Sequence, residues 1–354
     1  MTSWRRQLDP AAWRRVLVFA PHPDDETLAT GGLLQRAVAA GAAVRVVFVT
    51  DGEDNPWPQR ALERRWRIGP AGRARWAARR HEETLAALAC LGVSAASAVF
   101  LHFPDQGLTP LLLSGGDAVV SALAAELVEW RPTLVVAPSA ADLHPDHSAL
   151  GVLLHLAVDH VGRPSGRGFT ELAYVVHGNA PIASAFRLQL SPAERARKLA
   201  AIGCHRSQLV LSRRRFLSQA RATERFIDPD MPSSAHRVRA ATFACNTLSL
   251  QLAPPRSLSG TLPATLHVLT AEGPGGPIRW QSRRVGPWQR RVGLPFDRMP
   301  ARLLVKCEGP HVFFDDAGWR EMHLGGEAEG RRSSARMQDE PADWNPAASA
   351  RKVE

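Results

Sequence analysis

Val16-Leu17-Val18-Phe19-Ala20 runs directly into Pro21-His22-Pro23-Asp24-Asp25-Glu26. The apolar half reads as a strand buried on both faces, the habit of a parallel sheet. The polar half packs one imidazole and three carboxylates into the turn that follows. A helical pattern then runs over 27–40 and ends near Gly41.

The alternation continues outward from that stretch. Strands are expected over 44–49, 99–103, 134–137 and 172–176, and helices over 73–91, 117–130 and 148–158. Apolar strands alternating with helices indicate an α/β fold: a mainly parallel sheet with helices on both faces. Ligands of such sheets bind outside the carboxyl ends of the strands. Three polar clusters fall there: 22–26 after the first strand, 51–55 after the second, and 142–147 after the fourth.

Ser191-Pro192-Ala193-Glu194 opens a further helix, with Ser at the cap and Pro in the first turn. Composition shifts after about residue 228. Leu248, Leu250 and Leu252 alternate with Thr247, Ser249 and Gln251, and strands are expected over 266–269, 303–305 and 312–314, separated by Pro and Gly clusters. The expected organisation is a domain over 1–230, a smaller C-terminal β-rich domain over 240–324, and a disordered tail over 325–354.

Composition narrows the class. The net charge is +10, 44 basic residues minus 34 acidic, and lysine occurs only at 198, 306 and 352. A basic, arginine-rich surface suits an anionic substrate or an acidic membrane surface, but no nucleic-acid motif accompanies it. No apolar run approaches the ~20 residues that span a bilayer, so the chain is read as soluble and cytoplasmic. Cys90, Cys204, Cys245 and Cys307 are scattered, which argues against a disulfide framework and a thiolate metal site.

The motif chemistry starts from repulsion. Carboxylates crowded beside one another repel, and a bound divalent cation offsets this. His144-Pro145-Asp146-His147 repeats the theme at another strand end. Two imidazoles and a carboxylate with one open position suit catalytic zinc; iron(II) also suits such a set. Either motif alone is as consistent with a capped turn. Both together, at strand ends that should be neighbours, point to a metal.

These residues resemble the LmbE-like, or PIG-L, deacetylase family over about residues 14–228. The two motifs carry most of the resemblance. Weaker matches lie at Thr50-Asp51-Gly52-Glu53, Arg80-His81-Glu82-Glu83, Leu91-Gly92-Val93, Pro104-Asp105-Gln106-Gly107-Leu108, Lys198, Ser207-Gln208 and Glu224-Arg225-Phe226. The resemblance implies a Rossmann-like core, one zinc ion and hydrolysis of N-acetylglucosaminyl groups. It implies His22, Asp25 and His147 as metal ligands and Asp24 as the general base for the attacking water. His144 would donate a hydrogen bond to the oxyanion and protonate the leaving amine, with Asp146 orienting it. Arg80, and less strongly Asp105, would bind substrate. Some family members carry a tyrosine where this chain has Asp142, and Tyr174 is its only tyrosine.

The implied partner is an amino-sugar-containing substrate, with anionic and lipid-linked forms open; oligomeric state is not specified. Two alternatives stand beside deacetylation. One is an amidase for a larger N-acyl or thiol-conjugate amide; the other is a non-catalytic sugar-binding protein on the same core. His81, His102, His155, His160, His177 and His205 match no ligand spacing and are read as surface or core residues. Of these, His177 ends a strand and is the one able to approach the site. The β-rich segment is assigned no part in the chemistry.

Overall fold

The computed structural model describes residues 12–162, 169–178, 186–229, 236–254, 263–271, 278–309 and 314–324. The expected tail over 325–354 lies outside the described residues, as do Val312 and Phe313 of one expected strand; Phe314 is not in a strand.

The first half alternates as expected: β1 (Arg15–Ala20), α1 (Asp25–Ala39), β2 (Ala43–Thr50), α2 (Pro56–Glu63), α3 (Pro70–Cys90), β3 (Ala98–Phe103), α4 (Leu108–Leu113), α5 (Asp117–Trp130), β4 (Leu134–Pro138), α6 (Pro145–Val161) and β5 (Thr170–Tyr174). Among the described residues these strands form one parallel sheet in the order β3-β2-β1-β4-β5. Successive side chains of a strand point to opposite faces. Val16, Val18 and Ala20 accordingly pack with Leu33 and Leu34 of α1 and Leu88 of α3, while Leu17 and Phe19 pack with Leu123 of α5 and Leu150 of α6. The chain leaves β1 for β2 on one side and returns to β4 on the other. A crevice therefore opens at the carboxyl ends of β1 and β4, the switch point where such sheets bind ligands.

Next come β6 (Phe186–Gln189), α7 (Pro192–Cys204), α8 (Arg206–Leu217) and β7 (Thr223–Phe226). Ser191 and Glu194 form a reciprocal cap at the start of α7. Lys198 of α7, fully buried, pairs with Glu224 at 2.6 Å. Glu224 also accepts the Gly32 and Leu33 amides and so ties this layer to α1.

The remaining strands are β8 (Val238–Ala244), β9 (Thr247–Leu252), β10 (Ala264–Ala271), β11 (Ile278–Val285), β12 (Arg291–Pro295), β13 (Arg302–Glu308) and β14 (Ala317–Glu321). They form two antiparallel sheets, β11-β10-β13-β14 and β12-β9-β8, around a core of their own. This part does not stand apart. Leu269, Leu304 and Trp319 belong to the same hydrophobic cluster as α5 and α6. Gly318 lies so close to the loop after β4 that a Cβ there would be 2.4 Å from the Asp142 carbonyl oxygen. Among the described residues no helix is long and apolar enough to cross a membrane.

Candidate active site

The turn after β1 is held in an unusual backbone shape. Asp24 has φ 146°, a region that L residues rarely occupy. Glu26, fully buried, accepts the Asp24 amide at 3.0 Å and the Thr27 hydroxyl at 2.6 Å. The third carboxylate of the motif thus supports the turn. Asp25 starts α1 and directs Oδ2 to His22 Nδ1 at 3.2 Å.

From β4 comes the second group. Pro145 opens α6, and the His144 ring accepts the Asp146 amide through Nδ1 at 3.3 Å as its N-cap. His147, one turn in, has Nε2 at 3.1 Å from the same Asp25 oxygen. One nitrogen of each ring thus stands against the same Asp25 oxygen. Each lies from it at about the ~3.3 Å that separates neighbouring ligand atoms around a tetrahedral ion with bonds of ~2.0–2.1 Å. Both nitrogens of the fully buried His147 lack an aligned hydrogen-bond partner, although Asp25 and Asp142 oxygens lie within 3.4 Å. Groups that are close but not aimed at one another fit a shared cation between them.

Carboxylates stand behind both rings. His22 Nε2 is 3.2 Å from Asp105 and 3.2 Å from Asp146, and His147 Nδ1 is 3.4 Å from Asp142. Metal-binding histidines are typically oriented by such a partner on the far nitrogen. Burial opposes charge on these imidazoles, yet the acidic neighbours prevail. Asp105, helped by Asp146 and Asp25, raises the His22 pKa well above the usual value, and Asp25 and Asp142 push His147 up to about 9. Burial likewise acts against the Asp25 carboxylate, but His147 and His22 keep its pKa well below the usual range. The field at this point is strongly negative and favours a cation.

Asp24 behaves differently. Burial raises its pKa to about 6, with Arg80 opposing and Asp25 adding to the rise. Arg80 donates to Asp24 Oδ2 at 3.1 Å, to the Pro23 carbonyl at 2.6 Å and to the Gly52 carbonyl at 2.8 Å. Gly52 is required there: its φ is +65°, and a Cβ would lie 1.9 Å from the guanidinium. Burial and then the histidines around it hold the His144 pKa well below its usual value.

One expectation needs correction. The Asp146 carboxylate does not reach His144: it faces His22 and accepts the Gln106 and Leu108 amides, and only its backbone amide meets the His144 ring. Arg80 lines the pocket above the histidines; it is buried and donates to Asp24 and two carbonyls, and its Nε–H has no partner among the described residues. Asp105 also lines the pocket; it is buried beside His22 and accepts the Asp54 amide. The strand-end cluster over 51–55 supplies supports rather than ligands for this site. Asp51 instead meets His81 and His102 outside it.

Sequence reasoning gave no role to four participants. Asp142, fully buried, accepts the His144, Val176 and His177 amides and so knits the β4 loop to the β5 loop. His177 has its ring 4.8 Å from His147 and 5.2 Å from His144. Arg215 follows a break in α8 at Ser212 and donates to His177 Nδ1 at 2.7 Å. Phe314, from the C-terminal part, lines the pocket 5.4 Å from the His177 ring. His177 and Asp142 left a trace in the sequence, through their positions at strand ends; Arg215 and Phe314 left none. The pocket above the histidines has a volume of about 260 Å³; Asn55, Trp57, Gln106, Leu211 and Phe314 contribute to its walls.

Comparison with known proteins agrees with this geometry. Residues 17–158 match the PIG-L family, described as GlcNAc-PI de-N-acetylase. A 1D-myo-inositol 2-acetamido-2-deoxy-alpha-D-glucopyranoside deacetylase from Rhodococcus jostii (strain RHA1) is 32% identical over 169 residues, covering 42% of this chain and 54% of its own. One of the same name from Mycobacterium sp. (strain KMS) is 36% identical over 152 residues, covering 38% and 46%. The chain thus spans about half the length of the curated relatives it matches. The solved structure of the conserved protein TT1542 from Thermus thermophilus is 29% identical, with a TM-score of 0.46, covering 60% of this chain and 94% of its own. With both motifs at the switch point of the sheet, residues 17–158 of this chain are a PIG-L family domain.

Proposed function

We propose that this chain is a zinc-dependent hydrolase that removes the N-acetyl group from a GlcNAc-containing glycan or glycoconjugate. The observation that carries this reading is the convergence of His22 Nδ1 and His147 Nε2 on one Asp25 oxygen, with Asp24 beside them at the foot of a pocket. In this reading His22, Asp25 and His147 hold the metal, and iron(II) also suits their nitrogen and oxygen donors. When bound, such an ion lowers the pKa of water and polarises a carbonyl.

The chain's own groups then have separable tasks. Asp24, with its pKa near 6, is an effective base at neutral pH. It takes the proton of the water whose oxygen bonds to the amide carbon. Arg80 fixes the direction of that carboxylate. His144 accepts the Asp146 amide on Nδ1, so its ring proton sits on Nε2. A neutral Nε2–H donor suits the developing oxyanion, where one such donor contributes about 3 kcal/mol. As the C–N bond breaks, the nitrogen gains the proton that Asp24 holds. Asp146 and Asp105 orient His22, and Asp142 orients His147. Sugar recognition falls to the pocket mouth, at Asn55, Trp57 and Gln106. The names of the relatives support an amino-sugar amide, and the net charge of +10 suits an anionic conjugate in the cytoplasm.

Leu28, Val176, Leu211, Phe216 and Phe314 give the pocket an apolar side. That favours, as a second reading, an amidase for a larger acyl group. Release of acetate from N-acetylglucosaminides by metal-loaded protein tests the first reading. Faster release of longer acyl chains from the same sugars supports the second. Hydrolysis of neither series contradicts both.

A further inference from the structure

One wall of the pocket is made by His177, Arg215 and Phe314, which belong to none of the motifs. They come from the loop after β5, from α8 beyond its break, and from the C-terminal part. Arg215 Nη2 lies 2.7 Å from His177 Nδ1. A guanidinium has no acceptor and stays charged, so it must be the donor in this contact. Nδ1 is then the acceptor, and the ring proton resides on Nε2. An imidazole in that state offers a hydrogen bond and has no lone pair left for a metal.

This matters because of where the ring stands. One His177 nitrogen lies within 4.8 Å of the ligand atoms of Asp25 and His147. Released from Arg215, His177 could turn a lone pair towards the same ion and close the position that a catalytic site keeps open. The backbone is fixed on both sides: the His177 amide donates to Asp142 at 3.1 Å, and its carbonyl accepts the Leu143 amide at 3.1 Å. Arg215 in turn lies over the Phe314 ring, at 5.4 Å to its centre. Phe314 is anchored by its neighbour Asp315, whose amide donates to the Leu143 carbonyl at 2.8 Å and whose carboxylate pairs with the buried Lys306 at 2.9 Å. Lys306 also donates to Thr109 at the start of α4. The C-terminal sheet is thereby tied to the loop that carries His144 and His147.

We propose that His177 is a further catalytic residue, a neutral Nε2–H donor to the carbonyl oxygen of the substrate amide. Arg215 keeps it in that tautomer and off the metal, and Phe314 holds Arg215; both are positioning residues. The proposal rests on the amide-hydrolase reading above. It also gives the C-terminal part a share in the site, contrary to the sequence expectation.

The experiment uses full-length protein labelled with ¹⁵N-histidine, loaded with one equivalent of zinc, and read by long-range ¹H–¹⁵N correlation, with His177→Gln assigning the signal. Wild-type His177 should show a protonated Nε2 and an unprotonated Nδ1. Arg215→Met should replace this with a metal-bound or mixed pattern and retain zinc more tightly against a chelator; Arg215→Lys should restore the wild-type pattern. In parallel, His177→Ala should lower kcat on an N-acetylglucosaminide about 100-fold, the loss typical of one oxyanion donor, with KM and zinc content little changed. Phe314→Ala should shift the tautomer pattern in the same direction as Arg215→Met, but less. A wild-type His177 that is metal-bound or protonated on Nδ1 overturns the proposal alone. So does an unchanged kcat in His177→Ala. Wild-type protein inactive on all N-acyl amino sugars overturns the hydrolase reading, and the catalytic half of the proposal with it.

Discussion

The loops after β1 and β4 and the segment Phe314–Gly318 meet at the same pocket, but they announce themselves very differently in sequence. The two loops carry buried charge: His22, Asp24, Asp25, Asp146 and His147 are each less than 10% exposed. Burying charge is expensive unless it is paired or metal-bound, so such residues demand an explanation from sequence alone. The C-terminal segment brings a ring, a backbone amide and a glycine to the site, while its buried ion pair, Asp315 with Lys306, lies apart from the motifs. Neither ring, amide nor glycine is costly in itself, and each looks like ordinary β structure. Buried charge is legible in one dimension; shape contributed across the fold is not.

The largest expected effect belongs to the charged side of that comparison. His147→Ala should abolish metal binding and turnover together, as elemental analysis and acetate release on one preparation would reveal. A variant that keeps a full equivalent of metal would break the assignment of the β4 loop.

On the other side, Trp319→Ala should cost about 3–5 kcal/mol of stability, the usual loss for a buried Trp or Phe. Trp319 is 1% exposed and packs into the cluster shared with α5 and α6. A denaturation midpoint close to wild type would mean that the two parts are mechanically independent. Gly318→Ala asks a finer question. Its Cβ would meet the Asp142 and Ala140 carbonyl oxygens at 2.4 and 2.5 Å, so the loop below His144 must move. Turnover should fall by at least ~10-fold, since small misplacements of reacting groups are costly, while the metal stays bound. Unchanged turnover would remove the segment from the site.

The smallest effect is one of pH. Against the pull of burial, Asp25 and Asp142 push the His147 pKa up to about 9 in the metal-free protein. A proton therefore occupies the ring at neutral pH and must leave when a metal arrives. Zinc binding should release protons at pH 7 and tighten as pH rises towards 9; calorimetry in buffers of different ionisation heat measures this. The sign for stability follows. A histidine raised from 6.5 to about 9 stabilises the metal-free fold fully below pH 6.5, and that contribution is lost as pH rises through 9. Melting of the metal-free protein, but not of the zinc-loaded protein, should report that loss.

The alternation of strands and helices, the parallel sheet and α5 (Asp117–Trp130) to the residue follow from apolar period and from Pro132 closing the helix. The pairing of the two motifs also follows, because both sit at strand ends. What did not follow was which carboxylate faces which ring. Asp146 lies two residues from His144 in sequence, but the first turn of α6 points its side chain to His22, 124 positions away. Arg80 is polar and near the site, and only the fold reveals that its two terminal nitrogens already donate to Asp24 and two carbonyls. The C-terminal contribution was hidden for the same reason: the contacts of Asp315 and Gly318 with the loop after β4 run through backbone atoms, which every residue has.

In the proposed function Asp24 and Asp25, adjacent in sequence, divide the work between base and ligand. Zinc content and turnover measured together on Asp24→Asn test that division most directly. Near wild-type zinc is expected, with a loss of at least ~100-fold in kcat, the low end for general acid–base catalysis. Near-normal turnover with zinc bound would contradict it, since an amide at that position has no basicity to supply.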